Sequence, residues 1–115
     1  LLENNVSGTG SNYDQRNSYN TVTGHAYFGL GDPITSFKHN NVLRKVATAA
    51  LGDAISSSNV KVGGEDIKTF SIPINGYNSN ELYVVAFISK VGTSATDREI
   101  MNVQRVKLGN TQNWD

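Results

Sequence analysis

Residues 82–88 read Leu-Tyr-Val-Val-Ala-Phe-Ile and are apolar at every position. Side chains alternate between the two faces of a strand, so this segment puts Leu82, Val84, Ala86 and Ile88 on one side and Tyr83, Val85 and Phe87 on the other. Neither face is suited to water, and the run is therefore read as a central strand that needs cover on both sides. The stretch before it differs. Within 67–74, Phe70, Ile72 and Ile74 alternate with Thr69, Ser71 and Pro73, the pattern of a half-buried strand. Pro73 has no amide proton to give a ladder, which puts that strand at an edge or makes Pro73 its end, and Asn75-Gly76 marks the bend that follows.

Other elements are assigned by the same logic. Over 100–108, Met101 and Val103 share one parity and Val106 and Leu108 the other, so a β-bulge is expected near Gln104. Val22, Tyr27 and Phe28 predict a strand over 21–30, ended by the turn Gly31-Asp32-Pro33. Residues 1–6 form a first element. The polar stretch 7–20, with Gly8, Gly10 and several Asn, is long enough for an exposed, candidate binding loop. Over 37–51 two readings stand: Leu43, Ala47 and Ala50 have helical spacing, with Asn40 or Asn41 as cap and Gly52 as stop, whereas Val42, Arg44 and Val46 share one strand face. Residues 53–66 are a connection with a short strand at 60–62. Short strands joined by Gly- and Asn-rich turns predict an all-β fold, a two-layer antiparallel β-sandwich of immunoglobulin-like or jelly-roll-like type. At 115 residues, positions 1–115 are expected to form a single domain.

Composition removes several function classes. The chain has no cysteine, which excludes disulfides, thiol redox chemistry and zinc-thiolate sites. Ten basic residues balance ten acidic ones, so the basic footprint of a nucleic-acid-binding protein is missing. No apolar run approaches a membrane span, and direct membrane insertion by this segment is not expected. The opening Leu1-Leu2-Glu3 lacks an initiator methionine, which suggests a fragment or processed part of a longer surface protein. Low charge with abundant Asn, Ser, Thr and Gly points towards export.

Acid–base chemistry near neutrality would have to start from His25 or His39. No Gly-x-Ser-x-Gly motif accompanies them, and the more economical reading of each is structural. Asp32, Asp53, Glu65 and Asp66 match no calcium-loop spacing, so no metal site or cofactor is expected, and Gly63-Gly64 lacks the Lys-Ser or Lys-Thr of a phosphate loop. Tyr13, Tyr19, Tyr77 and Trp114 lie in polar surroundings where a ring stacks on a sugar or anchors a protein; the alternative is that they cap the ends of a sandwich core. Arg44, between Leu43 and Val46, is expected to act as a structural anchor with His39 and Asp53. Its guanidinium needs acceptors, and Asp53 or loop carbonyls are the nearest candidates.

The segment His39-Asn40-Asn41-Val42-Leu43-Arg44-Lys45-Val46, followed by Leu51-Gly52-Asp53-Ala54-Ile55, resembles the twenty-eight-kilodalton outer membrane protein (Omp28-related) family of bacterial surface lipoproteins. The opening Leu1-Leu2-Glu3-Asn4-Asn5-Val6, the run Val84-Val85-Ala86-Phe87-Ile88 and the closing Val103-Gln104-Arg105-Val106-Lys107 look like that family's carboxy-terminal module. The resemblance implies an extracytoplasmic β-sandwich, at the outer membrane or cell surface, sometimes following a thioredoxin-like domain, and it favours strand over helix for 37–46. It brings no catalytic residues. The chain departs from the family pattern in its long 7–20 loop and at Tyr77, where an indole is often found. The resulting expectation is a non-catalytic binding or scaffolding module whose partner is an envelope or surface protein; the alternative is a carbohydrate-binding module that uses the exposed Tyr and Trp rings on a glycan.

Overall fold

The computed structural model describes residues 1–94 and 96–113. Four strands, β1 (Leu2–Glu3), β2 (Val42–Leu43), β3 (Leu82–Val91) and β4 (Arg98–Lys107), form one antiparallel sheet in the order β2-β1-β3-β4. The fold is all-β, and its described helical content is a 3-10 turn, Ser79–Glu81, that leads into β3. Asn78 caps this turn by accepting the Asn80 amide at 3.1 Å. No helix among the described residues is long and apolar enough to cross a membrane. By density of internal contacts the chain divides into two compact units: Glu3–Val42, and Leu1–Leu2 with Leu43–Asp115.

The larger unit is organised by the β3–β4 hairpin. The apolar run becomes β3 as expected and continues three residues further, to Val91. Gly92 follows, at a point where any β-carbon would collide with the Asp97 carboxylate, while Asp97 accepts the Thr93 amide at 3.1 Å. Opposed residues of an antiparallel ladder share a face. One face therefore carries Val85, Phe87 and Val91 with Val103 and Ile100, and the other Val84, Ala86 and Ile88 with Val106, Gln104 and Asn102. The bulge lies at Met101, where Ile88 pairs with Asn102 and Ser89 with Ile100, not near Gln104. Val103 and Val106 lie on opposite faces of a regular stretch of β4, and no bulge is needed between them.

Three expected strands are replaced by other structure. Over 21–30 the chain folds into successive turns, with the amides of Val22, His25 and Phe28 bonded to the carbonyls of Tyr19, Val22 and His25. Gly24 and Gly29, at φ 86° and 72°, supply the left-handed backbone these turns need. At 60–62 a turn replaces the short strand. Residues 67–74 join no ladder among the described residues, and Pro73 removes one donor that a ladder would use. Residues 40–51 contain the two-residue β2 and no helix, so the strand reading of this segment stands.

The smaller unit is closed by a pair of asparagine corners. Val6 and His39 exchange both backbone hydrogen bonds, at 3.0 and 2.9 Å. Beside this bridge Asn5 and Asn41 adopt φ 55° and 57°, a region Asn tolerates better than other non-glycine residues. The Asn40 side chain accepts the Asn5 amide at 3.0 Å and the Asn4 side chain accepts the Asn41 amide at 2.9 Å.

Burial is sparse. Leu82 is fully buried and Ile34 nearly so, while Phe87, Val91, Ile100, Met101 and Val103 are all more than half exposed. The accessible surface is 8954 Å² for 12.5 kDa. A folded monomer of that mass exposes roughly 6,200 Å² by size scaling. The excess is large, and many large hydrophobic side chains are exposed, Val60, Val62 and Ile67 among them.

Candidate functional site

Two surfaces combine ordered geometry with exposed binding side chains, one in each unit. In the larger unit, the Phe87 face of the hairpin carries an apolar strip: Phe87 and Val91 are each 62% exposed, Val103 55% and Ile100 54%. At its end Arg105 lies over the Tyr83 ring, 4.0 Å from the centroid, a cation–π arrangement that presents guanidinium and ring together. The strip is held by the β3–β4 ladder, so its side chains project from a rigid backbone.

In the smaller unit, rings follow one another through space. Tyr19 stacks on His25 with centroids 3.9 Å apart and planes 9° from parallel. His25 meets Tyr27 at 5.5 Å, Tyr27 meets Phe37 edge-on at 6.0 Å, and Phe37 meets His39 at 5.0 Å. His39 Nε2 donates to the Tyr13 carbonyl at 2.9 Å, and His25 Nδ1 accepts the Tyr27 amide at 3.2 Å. Both histidines are thus tied to backbone groups.

What fixes these rings is Asn17, a buried polar residue that is 4% exposed. Its Nδ2 donates to the carbonyls of Tyr27 and Gly31, both at 2.9 Å, and its Oδ1 accepts the Tyr19 amide at 3.1 Å. Its own amide is bonded to Asp32 Oδ1 at 2.9 Å, and the other oxygen of Asp32 pairs with Arg16 at 3.2 Å. Asn20 adds a bond from the Gly31 amide to its side chain at 2.8 Å. The polar loop at 7–20 is ordered by its asparagines, which substitute for the secondary structure it lacks. A groove of about 310 Å³ results, with Gln15, Arg16, Asn17, Tyr19, Tyr27 and Phe37 among its walls.

The residues expected to form one aromatic site are divided between the two units. Tyr13 and Tyr19 belong to the smaller unit. Tyr77 belongs to the larger one, where the Arg44 guanidinium sits 5.2 Å from its ring centroid. Trp114 lies outside the described residues. Among the expected anchors, Arg44 is half-buried, His39 holds the Val6 bridge and the Tyr13 carbonyl, and Asp53 accepts the Ala49 amide at 3.1 Å. Sequence reasoning missed His25, Tyr27, Phe37 and Asn17 as members of one cluster. The available signal was the crowding of aromatic and imidazole rings between positions 13 and 39, which the strand assignment for 21–30 had divided.

No curated protein and no solved structure matches the chain. A family model described as outer membrane protein Omp28 matches residues 1–112.

Proposed function

The chain belongs to the Omp28 outer membrane protein family, and on that premise we propose that it is a non-catalytic, extracytoplasmic module of an outer-membrane-associated lipoprotein that joins an envelope or surface protein through non-covalent contacts. Family membership supports an outer-membrane or envelope address. The observation that carries the binding role is the apolar strip on the Phe87 face of β3 and β4. Patches of this kind mark interaction surfaces when a rigid element displays them. The first seven residues of β3 are apolar on both faces and are complete only under a second layer, and in this reading the partner supplies cover of the kind that makes a sandwich. Arg105 and Tyr83, residue types that dominate binding energy at interfaces, sit beside the strip as anchors.

Support for a non-catalytic role comes from the histidines. His25 and His39 have ring nitrogens engaged by the Tyr27 amide and the Tyr13 carbonyl, which are structural partners. The experiment is site-specific photocrosslinking in intact envelopes, with the photoreactive residue at Phe87 or Val103 and, as control, at Lys61. A discrete protein adduct from the first two positions and none from the control is expected. Adducts of equal yield and size from all three positions would remove the strip as the binding surface. Turnover of a hydrolase substrate that disappears when His25 or His39 is replaced would overturn the non-catalytic role.

A further inference from the structure

We propose that the groove in the Glu3–Val42 unit is a binding site for a neutral glycan, with Tyr19 and Tyr27 as stacking platforms and Gln15 and Arg16 as the polar edge. The site is independent of the β3–β4 strip and uses none of its residues. Its volume of about 310 Å³ lies at the small end of ligand sites, which run from roughly 300 to 1,000 Å³.

The ring geometry supplies the first argument. An aromatic face carries the negative part of the ring quadrupole. The C–H face of a pyranose presents weakly positive hydrogens and fits such a face, while its hydroxyl edge needs planar donors and acceptors beside the ring. Tyr19 is 50% exposed and Tyr27 39%, so both have area to offer. Both are also held in place, Tyr19 flat against His25 and Tyr27 edge-on to Phe37. Rings fixed before the ligand arrives lose little conformational freedom on binding.

Charge supplies the second. Arg16 is the cation of the groove, and Asp32 pairs with it at 3.2 Å while the Arg16 side chain remains 82% exposed. The guanidinium therefore keeps donors available at the rim without leaving a net positive site, which fits hydroxyls better than a carboxylate or sulfate. The backbone supplies the third. Gln15 and Ile34 exchange both of their backbone hydrogen bonds, at 3.1 and 2.8 Å, so at that wall the groups an extended peptide would pair with are already used. This disfavours a peptide in the groove.

The test is an array of neutral hexose oligosaccharides alongside sialylated and uronic-acid-containing ones, probed with the full chain, followed by calorimetry on the strongest neutral hit. Tyr19→Ala should weaken that binding by about tenfold or more, whereas Tyr19→Phe, which keeps the ring, should stay within about threefold. Val62→Ala, at a fully exposed position of the larger unit, should leave it unchanged, and because crosslinking from Phe87 reports the strip while the array reports the groove, failure here and failure of the protein-binding strip are read separately. Hydrogen-exchange protection of the Tyr19 amide, which bonds Asn17, reports whether each variant keeps the fold of the unit. A blank array, binding confined to acidic glycans, or a Tyr19→Ala variant that keeps both fold and affinity would overturn the proposal. Competition by unstructured peptides for the same variant-sensitive site would do so as well.

Discussion

Replacing Asn17 with Ala should loosen the smaller unit more than any exposed substitution in it. The side chain makes three hydrogen bonds, two donated to the carbonyls of Tyr27 and Gly31 and one accepted from the Tyr19 amide. Each such bond contributes about 0.5–1.5 kcal/mol net, and truncation leaves three backbone groups without their partner. Tyr19 and Tyr27 are partly exposed, so water re-satisfies some of that loss. The expected cost is therefore roughly 2–3 kcal/mol, below the sum of three fully desolvated bonds. Asn17→Asp provides the control for mechanism. It preserves the acceptor for the Tyr19 amide, removes both donors, and sets a carboxylate against two carbonyls and near Asp32. At neutral pH it should destabilise at least as much as Ala. The measurement is hydrogen exchange at Tyr19 and Gly31, together with urea unfolding followed through the ring-current shifts of the Tyr19–His25 stack. Exchange at both amides should quicken and the midpoint fall. An Asn17→Ala protein with unchanged protection and an unchanged midpoint would show that the asparagine does not organise the loop, and the account of an ordered groove would fall with it.

In the larger unit, Leu82→Ala removes the one fully buried large side chain among the described residues and should cost roughly 2–5 kcal/mol in urea unfolding, against under about 0.5 kcal/mol for Val62→Ala at a fully exposed position. Arg44 lies over Tyr77 and is half-buried, so a double-mutant cycle of Arg44→Ala and Tyr77→Ala should give a coupling of about 0.5–1 kcal/mol; zero coupling would remove that contact as an anchor. Asp66 accepts a hydrogen bond from Asn59 at 2.9 Å and pairs with Lys68 at 3.3 Å. These partners, the Asn59 bond foremost, hold its carboxyl below the usual 3.8. Because the folded value is depressed, the associated stability is present above the unfolded value and is lost as pH falls through the folded one. Asn59→Ala should raise the Asp66 midpoint towards 3.8 in an NMR titration, and a midpoint that stays put or falls would contradict the assignment of cause.

The parts of the fold legible in the sequence are those where one interaction dominates. The run at 82–88 became β3 because apolarity on both parities leaves an extended chain few alternatives, and β4 follows as its antiparallel neighbour through the Gly92 turn. Where local hydrogen bonding competes with patterning, the reading failed. Val22, Tyr27 and Phe28 favour a strand by propensity, but glycines at 24 and 29 let the chain close turns on itself before any neighbouring strand is reached. The alternation over 67–74 is real, yet a pattern specifies a face and not a partner, and no ladder forms there among the described residues. At the candidate site, exposure of Tyr13 and Tyr19 followed from their polar surroundings. Asn17 did not stand out, because its partners are backbone groups 2, 10 and 14 positions away, and any asparagine in a loop looks the same until those groups are brought round it.

The asparagine corners at the base of the smaller unit bear on how the chain acquires its structure. The bonds that form them join residues 35 and 37 positions apart, whereas β3 ends at Val91 and β4 begins as near in sequence as Arg98. Loop closure costs more entropy as the loop lengthens, so in a denatured chain returned to native conditions the hairpin should form first and the corners later. An exported chain that emerges amino end first meets the reverse order: residues 1–42 arrive before β3 and β4, and the slower closure begins without an apolar hairpin present to compete for its rings.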